Sequence, residues 1–264
     1  MKLKEKLKKY GITEAELEKI LVNKKKPKIR NIDKLYKDHE EVRIAVVSDT
    51  HLGSIYEDLE ALHHFYKHAE KEGCEIVLHA GDMVQGSHKI YRGGEYELHT
   101  FGAEAQAEYV KKNYPRNLKT YFITGNHSQS FWKDAGIDIG ALINCPDITY
   151  IGSMQADITI KGIKFRLIHP SGSPAYALSY KMQKFAEQMR SGEKPNVFIS
   201  GHYHSSVYFY NRNMHCLMAG SFQRQTPYLL AKGVNPTIGG WILTLRGKEG
   251  RNIGIDTSFI LFPK

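Results

Sequence analysis

Five short, nearly apolar runs in this chain each stop at a group able to bind a cation, and that arrangement limits the fold more than any other feature. VRIAVVS (42–48) runs into Asp49-Thr50-His51, EIVLHA (75–80) into Gly81-Asp82, and YFIT (121–124) into Gly125-Asn126-His127. FRLI (165–168) runs into His169, and VFIS (197–200) into Gly201-His202-Tyr203-His204. Runs this short and this apolar are strands buried on both faces, so helices or a second sheet must cover them. In open α/β sheets ligands gather beyond the carboxyl ends of strands, and five such ends can converge on one cleft.

Helices are expected between these strands at about 58–72 and 101–113, with a short one around 135–143. After residue 147 the segments DITIK and FRLIH read as a hairpin about Gly162. SPAYALSYKMQKFAEQMR is the strongest late helix pattern, with Ser173 as cap and Pro174 at its first position. VYFYN, HCLMAG and WILTLR add further strands, several of them antiparallel. The expected class is α/β, with two mixed sheets packed face to face and helices outside.

The first forty residues stand apart. Thr13 and Glu16 form a capping box before an apolar stripe of Leu17, Ile20 and Leu21, and Lys24-Lys25-Lys26-Pro27 reads as a linker. A short basic helical extension over 1–40 and a main domain over 41–264 are therefore expected. Residues 1–40 hold 13 Lys and Arg against 7 Asp and Glu, so they carry +6 of the chain's net +9. Such a segment attracts polyanions such as nucleic acid; a solvated, Lys-rich helix of a heat-adapted protein is the alternative. The three cysteines, Cys74, Cys145 and Cys216, are odd in number and widely spaced, which points to a reducing compartment. With no apolar stretch behind the basic N-terminus and no run of about 18 apolar residues, a cytoplasmic protein without a membrane span is expected.

The residue types at the strand ends fit a binuclear metal site. Two residues separated by one leave an extended strand on the same side, so Asp49 and His51 are expected to aim at one cation, as are His202 and His204 at a pair. A carboxylate such as Asp82 can offer one oxygen to each of two ions. Imidazole, carboxylate and amide together suit manganese, iron or zinc better than calcium.

SDTHLG, GDMVQ, GNHS, IHP and GHYH resemble the five sequence blocks of the calcineurin-like metallophosphoesterases, over residues 48–204. The resemblance implies a four-layer αββα sandwich with a dinuclear site at one edge of its sheets. It implies Asp49, His51 and His204 as ligands of one ion, Asn126, His169 and His202 as ligands of the other, and Asp82 as the bridge. His127 resembles the histidine that contacts the substrate phosphate and protonates the leaving oxygen. Two divalent cations are expected, manganese first, with iron, zinc, nickel or magnesium as alternatives, and a hydroxide between them as nucleophile. Ser128 stands where many relatives carry an acidic residue beside that histidine, so another partner for His127 is needed. The arginines of the protein Ser/Thr phosphatases are missing, which argues against that activity.

A phosphodiesterase or nuclease acting on nucleic acid or nucleotides is the first expectation. A phosphomonoesterase for small metabolites or nucleotides is the second, and a non-catalytic DNA-binding or partner subunit the third. GSHKIYRGGEYELHT, after Asp82, offers His88, Lys89, Tyr91 and Arg92 for gripping a backbone and stacking a base. Tyr203, Arg224 and Gln223 are further candidate substrate contacts.

Overall fold

The computed structural model describes residues 30–32, 41–87, 89–90, 93–173, 175–248 and 251–263. The expected extension helix and its linker lie outside these residues. Twelve strands are described: β1 (Arg30–Asn31), β2 (Glu41–Val47), β3 (Cys74–His79), β4 (Lys119–Thr124), β5 (Ile148–Ser153), β6 (Gln155–Ile160), β7 (Ile163–Ile168), β8 (Val197–Ser200), β9 (Ser206–Asn211), β10 (Met214–Ala219), β11 (Gly239–Lys248) and β12 (Arg251–Leu261). Six α-helices accompany them: α1 (Leu59–Lys71), α2 (Ala103–Asn113), α3 (Ser128–Ala135), α4 (Ile139–Ile143), α5 (Tyr180–Gln188) and α6 (Pro227–Ala231).

The strands form two six-stranded mixed sheets, in the orders β12-β11-β2-β3-β4-β5 and β1-β6-β7-β8-β10-β9. Strands β2 to β5 run parallel, and so do β7, β8 and β10. Their carboxyl ends therefore gather at one rim.

Strand β2 shows why the apolar runs carry no alternation. Val42, Ile44 and Val46 point between the sheets, where they meet Ile158, Phe165, Leu167 and Ile199 of the second sheet. Ala45 and Val47 point the other way, into a cluster with Leu62, Phe65 and Tyr66 of α1 and Val110 of α2. On the outer face of the second sheet, Phe198, Cys216 and Met218 pack against Met182 and Ala186 of α5. The result is the αββα layering. Each fully buried Leu, Ile or Phe contributes about 1.5–3 kcal/mol. Trp241 on β11 bolts the sheets together by donating its indole N–H to Met218 O on β10, 2.9 Å away.

Three expectations need correction. The late helix begins at Tyr180, not beside Ser173, because apolar packing starts only with Met182 and Ala186; Tyr176 and Leu178 are exposed. Without a face to bury, the earlier residues gain too little from a helix; Pro174 itself lies outside the described residues. The region 128–143 forms two helices, broken where Gly136 takes φ 68°. Strand β12 was not legible, since Gly254, Asp256, Thr257 and Ser258 interrupt its apolar pattern on an outer strand. Arg30–Asn31, drawn with the extension, pairs parallel to β6 at the sheet's edge. No helix among the described residues is long and apolar enough to cross a membrane.

Candidate metal centre

Asp49, His51, Asp82, Asn126 and His127 stand on loops leaving β2, β3 and β4, and His169, His202 and His204 on loops leaving β7 and β8. The first group belongs to one sheet and the second to the other, so the site straddles the seam between them. Ligand atoms of Asp49, His51 and His204 lie within 4.8 Å of one another, as do those of Asp82, His169 and His202, and those of His51, Asp82 and His127. Asn126 joins the second set, with Oδ1 3.1 Å from His169 Nε2.

The backbone reaches this arrangement differently from the expected extended strand. Asp49 (φ 52°), His51 (47°), Asp82 (51°), His202 (81°) and His204 (51°) all occupy the left-handed region. Such conformations cost about 1–3 kcal/mol each in non-glycine residues and persist only where the surroundings dictate them. Here neighbouring loops lock together: the N–H groups of Asp49, His51 and Leu52 donate to the carbonyls of Gly81, Asp82 and Met83 at 2.9–3.1 Å. Tight approach requires Gly125, where a Cβ would overlap Asp82 Oδ1.

The tautomers follow from the hydrogen bonds. His169 donates Nδ1–H to Ala80 O (2.8 Å) and His51 donates Nδ1–H to Gln85 Oε1 (2.9 Å). Ser221 Oγ donates to Asp49 O, so it accepts from His204 Nδ1 at 3.3 Å. His202 donates Nε2–H to Gly172 O at 2.7 Å. In the neutral rings this leaves the lone pairs of His51, His169 and His204 on Nε2 and that of His202 on Nδ1. His51 Nε2 and His204 Nε2 lie 3.2 Å apart with a lone pair on each, an approach that a shared cation relieves. Asp49 Oδ1 is buried without a hydrogen-bond partner, 3.4 Å from His204 Nε2 and 3.7 Å from His51 Nε2. A buried charge stripped of partners is costly. This donor set fits divalent cations.

Electrostatics agree. Burial raises the carboxyl pKa values of Asp49 and Asp82, yet the surrounding imidazoles outweigh it, and both end below the ordinary range. Burial lowers His51 and His202 to about 4, keeping them neutral. Burial also opposes charge on His169, but Asp82 and Asp49 overcome it and push its pKa up to about 9. His169 Nε2 lies 2.8 Å from Asp82 Oδ2, the contact through which the carboxylate acts on it.

His127 finds its partner in a backbone group. Its Nδ1–H donates to Gln85 O at 2.6 Å, and its own N–H donates to Asp82 Oδ1 at 2.9 Å. Nε2 is thereby left for the cavity. Gln85 acts twice, holding His127 by its carbonyl and His51 by its amide oxygen, which also accepts from Gln223 Nε2. Gln85 belongs to the GDMVQ block, but nothing in the sequence marks a backbone carbonyl as a histidine's partner.

A cavity of about 260 Å³ opens over the site, lined on its far side by Tyr203, Thr226, Tyr228, Leu229 and Lys232. Tyr203 is buried, with its ring against His202. Arg224 does not line this cavity; its guanidinium pairs with Asp58, the N-cap of α1, at 3.2 Å. Tyr91, Arg92 and His88 lie outside the described residues. His79, at the end of β3, is a buried core group that donates to Thr50 Oγ1 and accepts from Gly81 N–H.

The family model for the calcineurin-like phosphoesterase superfamily domain matches residues 42–231. None of the curated proteins matches the sequence significantly. Among solved structures, an archaeal phosphodiesterase is similar at 16% identity and TM-score 0.44, with 83% of this chain and 100% of that one covered. A Staphylococcus aureus protein assigned as a 5′-nucleotidase gives 14% and 0.46, with coverages of 84% and 54%. Entamoeba histolytica Vps29 with zinc gives 12% and 0.41, with coverages of 84% and 100%. On the match over 42–231, this chain belongs to the calcineurin-like phosphoesterase superfamily and is a hydrolase of ester bonds.

Proposed function

We propose that the chain is a phosphodiesterase dependent on two divalent cations, manganese first among them, acting on nucleic acid or a nucleotide diester. The observation that carries this reading is Asp49 Oδ1, buried without a partner among imidazole lone pairs. Asp49, His51 and His204 would hold one ion and Asn126, His169 and His202 the other. Asp82 would serve both, through two differently engaged oxygens. Bound there, such ions neutralise phosphate charge and lower the pKa of a water between them toward neutrality.

The chain's own groups do the rest. The Gln85 carbonyl fixes the His127 tautomer, so the proton for the leaving oxygen is delivered from Nε2. Beyond the histidines, the described lining of the cavity offers Lys232 and no arginine to grip the extra charge of a terminal phosphoryl group, which favours a diester over a monoester.

The test compares bis-nitrophenyl phosphate with nitrophenyl phosphate in the presence of manganese, using purified full-length protein. Preference for the diester is expected. Preference for the monoester overturns the diesterase reading, and no metal-stimulated hydrolysis of either overturns the enzymatic one.

A further inference from the structure

The cavity over the metal centre does not end at its rim. A second hollow, of about 470 Å³, adjoins it and is lined by Ala175, Tyr176, Leu178, Ser205, Gly233 and Asn235. Lys232 and Val234 line both hollows, so the two adjoin along the residues that follow α6, with Lys232 at their common border. Three features of the second hollow are unspent. The Lys232 ammonium has no carboxylate partner among the described residues; the nearest ring, that of Tyr228, lies with its centroid 5.8 Å away. Tyr176 projects its whole side chain into solvent, although exposing an aromatic ring forfeits its burial energy. Leu178 is exposed beside it. Gly233 takes φ 67° just after α6 and turns the chain back, bringing Lys232 and Val234 to the shared wall.

We propose that this second hollow is a subsite for the next nucleotide of a single-stranded nucleic acid. Lys232 holds the phosphate adjacent to the one being cleaved, and Tyr176 stacks the base that follows. An unpaired base has an open π-face, whereas the bases of a duplex are already stacked on one another. The polymer selected is therefore single-stranded. This inference rests on the diesterase reading and adds the substrate class to it.

The experiment measures kcat and KM of the full-length protein, with manganese, on bis-nitrophenyl phosphate and on a single-stranded trinucleotide. Wild type is compared with Lys232→Ala, Lys232→Arg and Tyr176→Ala. Both positions are exposed, so the fold tolerates these changes. KM for the trinucleotide, taken relative to that for the small diester, should rise about 10-fold in Tyr176→Ala and Lys232→Ala. Lys232→Arg should restore most of the loss. The slope of log KM against log salt should fall by about 0.7 in Lys232→Ala, as one phosphate contact is removed. Cleavage of the trinucleotide with an unchanged KM ratio in both alanine variants overturns the subsite and leaves the diesterase standing. Hydrolysis of the small diester by wild type without any trinucleotide cleavage overturns the nucleic-acid reading itself.

Discussion

The β6–β7 hairpin and the rim of the sheets each set carboxylates away from water, and they compensate the charge differently. On the hairpin, Asp157 receives both Arg166 Nε and Nη2 at 2.7–2.8 Å, with Lys164 at 3.3 Å. The chain carries the counter-charge itself, and no further group is needed. At the rim, Asp49 and Asp82 face imidazoles whose lone pairs point inward, and Asp49 Oδ1 has no donor. There the chain supplies anions and lone pairs in excess and leaves the positive charge to come from outside. Burial of a carboxylate is thus not itself a sign of function; what distinguishes the rim is a carboxylate oxygen, Asp49 Oδ1, buried without a hydrogen-bond donor among imidazole nitrogens.

If this contrast is right, the rim should fail catalytically and the hairpin only thermodynamically. Asp82→Ala removes the carboxylate proposed to serve both ions, and kcat should fall by about 10³-fold or more, with metal content reduced in elemental analysis. His127→Asn should retain its metal yet lose about 10²–10⁴-fold in kcat on an unactivated ester, and much less on a nitrophenyl ester. Full activity on the unactivated ester would remove His127 from the acid role. Ser221→Ala deletes the hydroxyl that orients His204 and ties down Asp49 O. It should weaken metal binding about 10–100-fold by titration calorimetry while leaving the melting temperature of the metal-free protein within a few degrees.

The smallest effect belongs to the hairpin. Burial alone would raise the Asp157 carboxyl, but Arg166 and Lys164 hold it below its ordinary value. A depressed carboxyl stabilises the fold fully above its unfolded pKa, near 4, and the contribution is lost as pH falls through the folded value. Asp157→Asn should therefore cost about 1 kcal/mol in urea unfolding at pH 7. The gap from wild type should close in stronger acid, with kcat untouched throughout.

The sequence made the two-sided burial of β2, β3 and β4 legible, because an inner sheet strand touching apolar layers on both faces cannot alternate. It also exposed the ligand-type residues, since each stands directly after such a strand. Their backbone was not legible: an i, i+2 spacing fits an extended strand as well as the left-handed turns actually used, and only the inter-loop hydrogen bonds decide. Nor was the partner of His127, which is a carbonyl and has no side-chain signature. The ion pair of Arg224 with Asp58 was not legible either, because charge near a glycine turn carries no direction. Lys232 stands in a stretch without a recognisable motif, and its place on the cavity wall is a product of the turn at Gly233.

Because four of the seven metal-type ligands hang from one sheet and three from the other, any ion seated between them rivets the two leaves of the sandwich at their open edge. Chelation would then do more than stop turnover. It would loosen the leaves at that edge, where the Trp241–Met218 hydrogen bond would remain as a tie, so amide exchange in the loops after β2 and β8 should quicken together when metal is withdrawn, while the opposite end, where Leu245 pairs with Val42, keeps its protection.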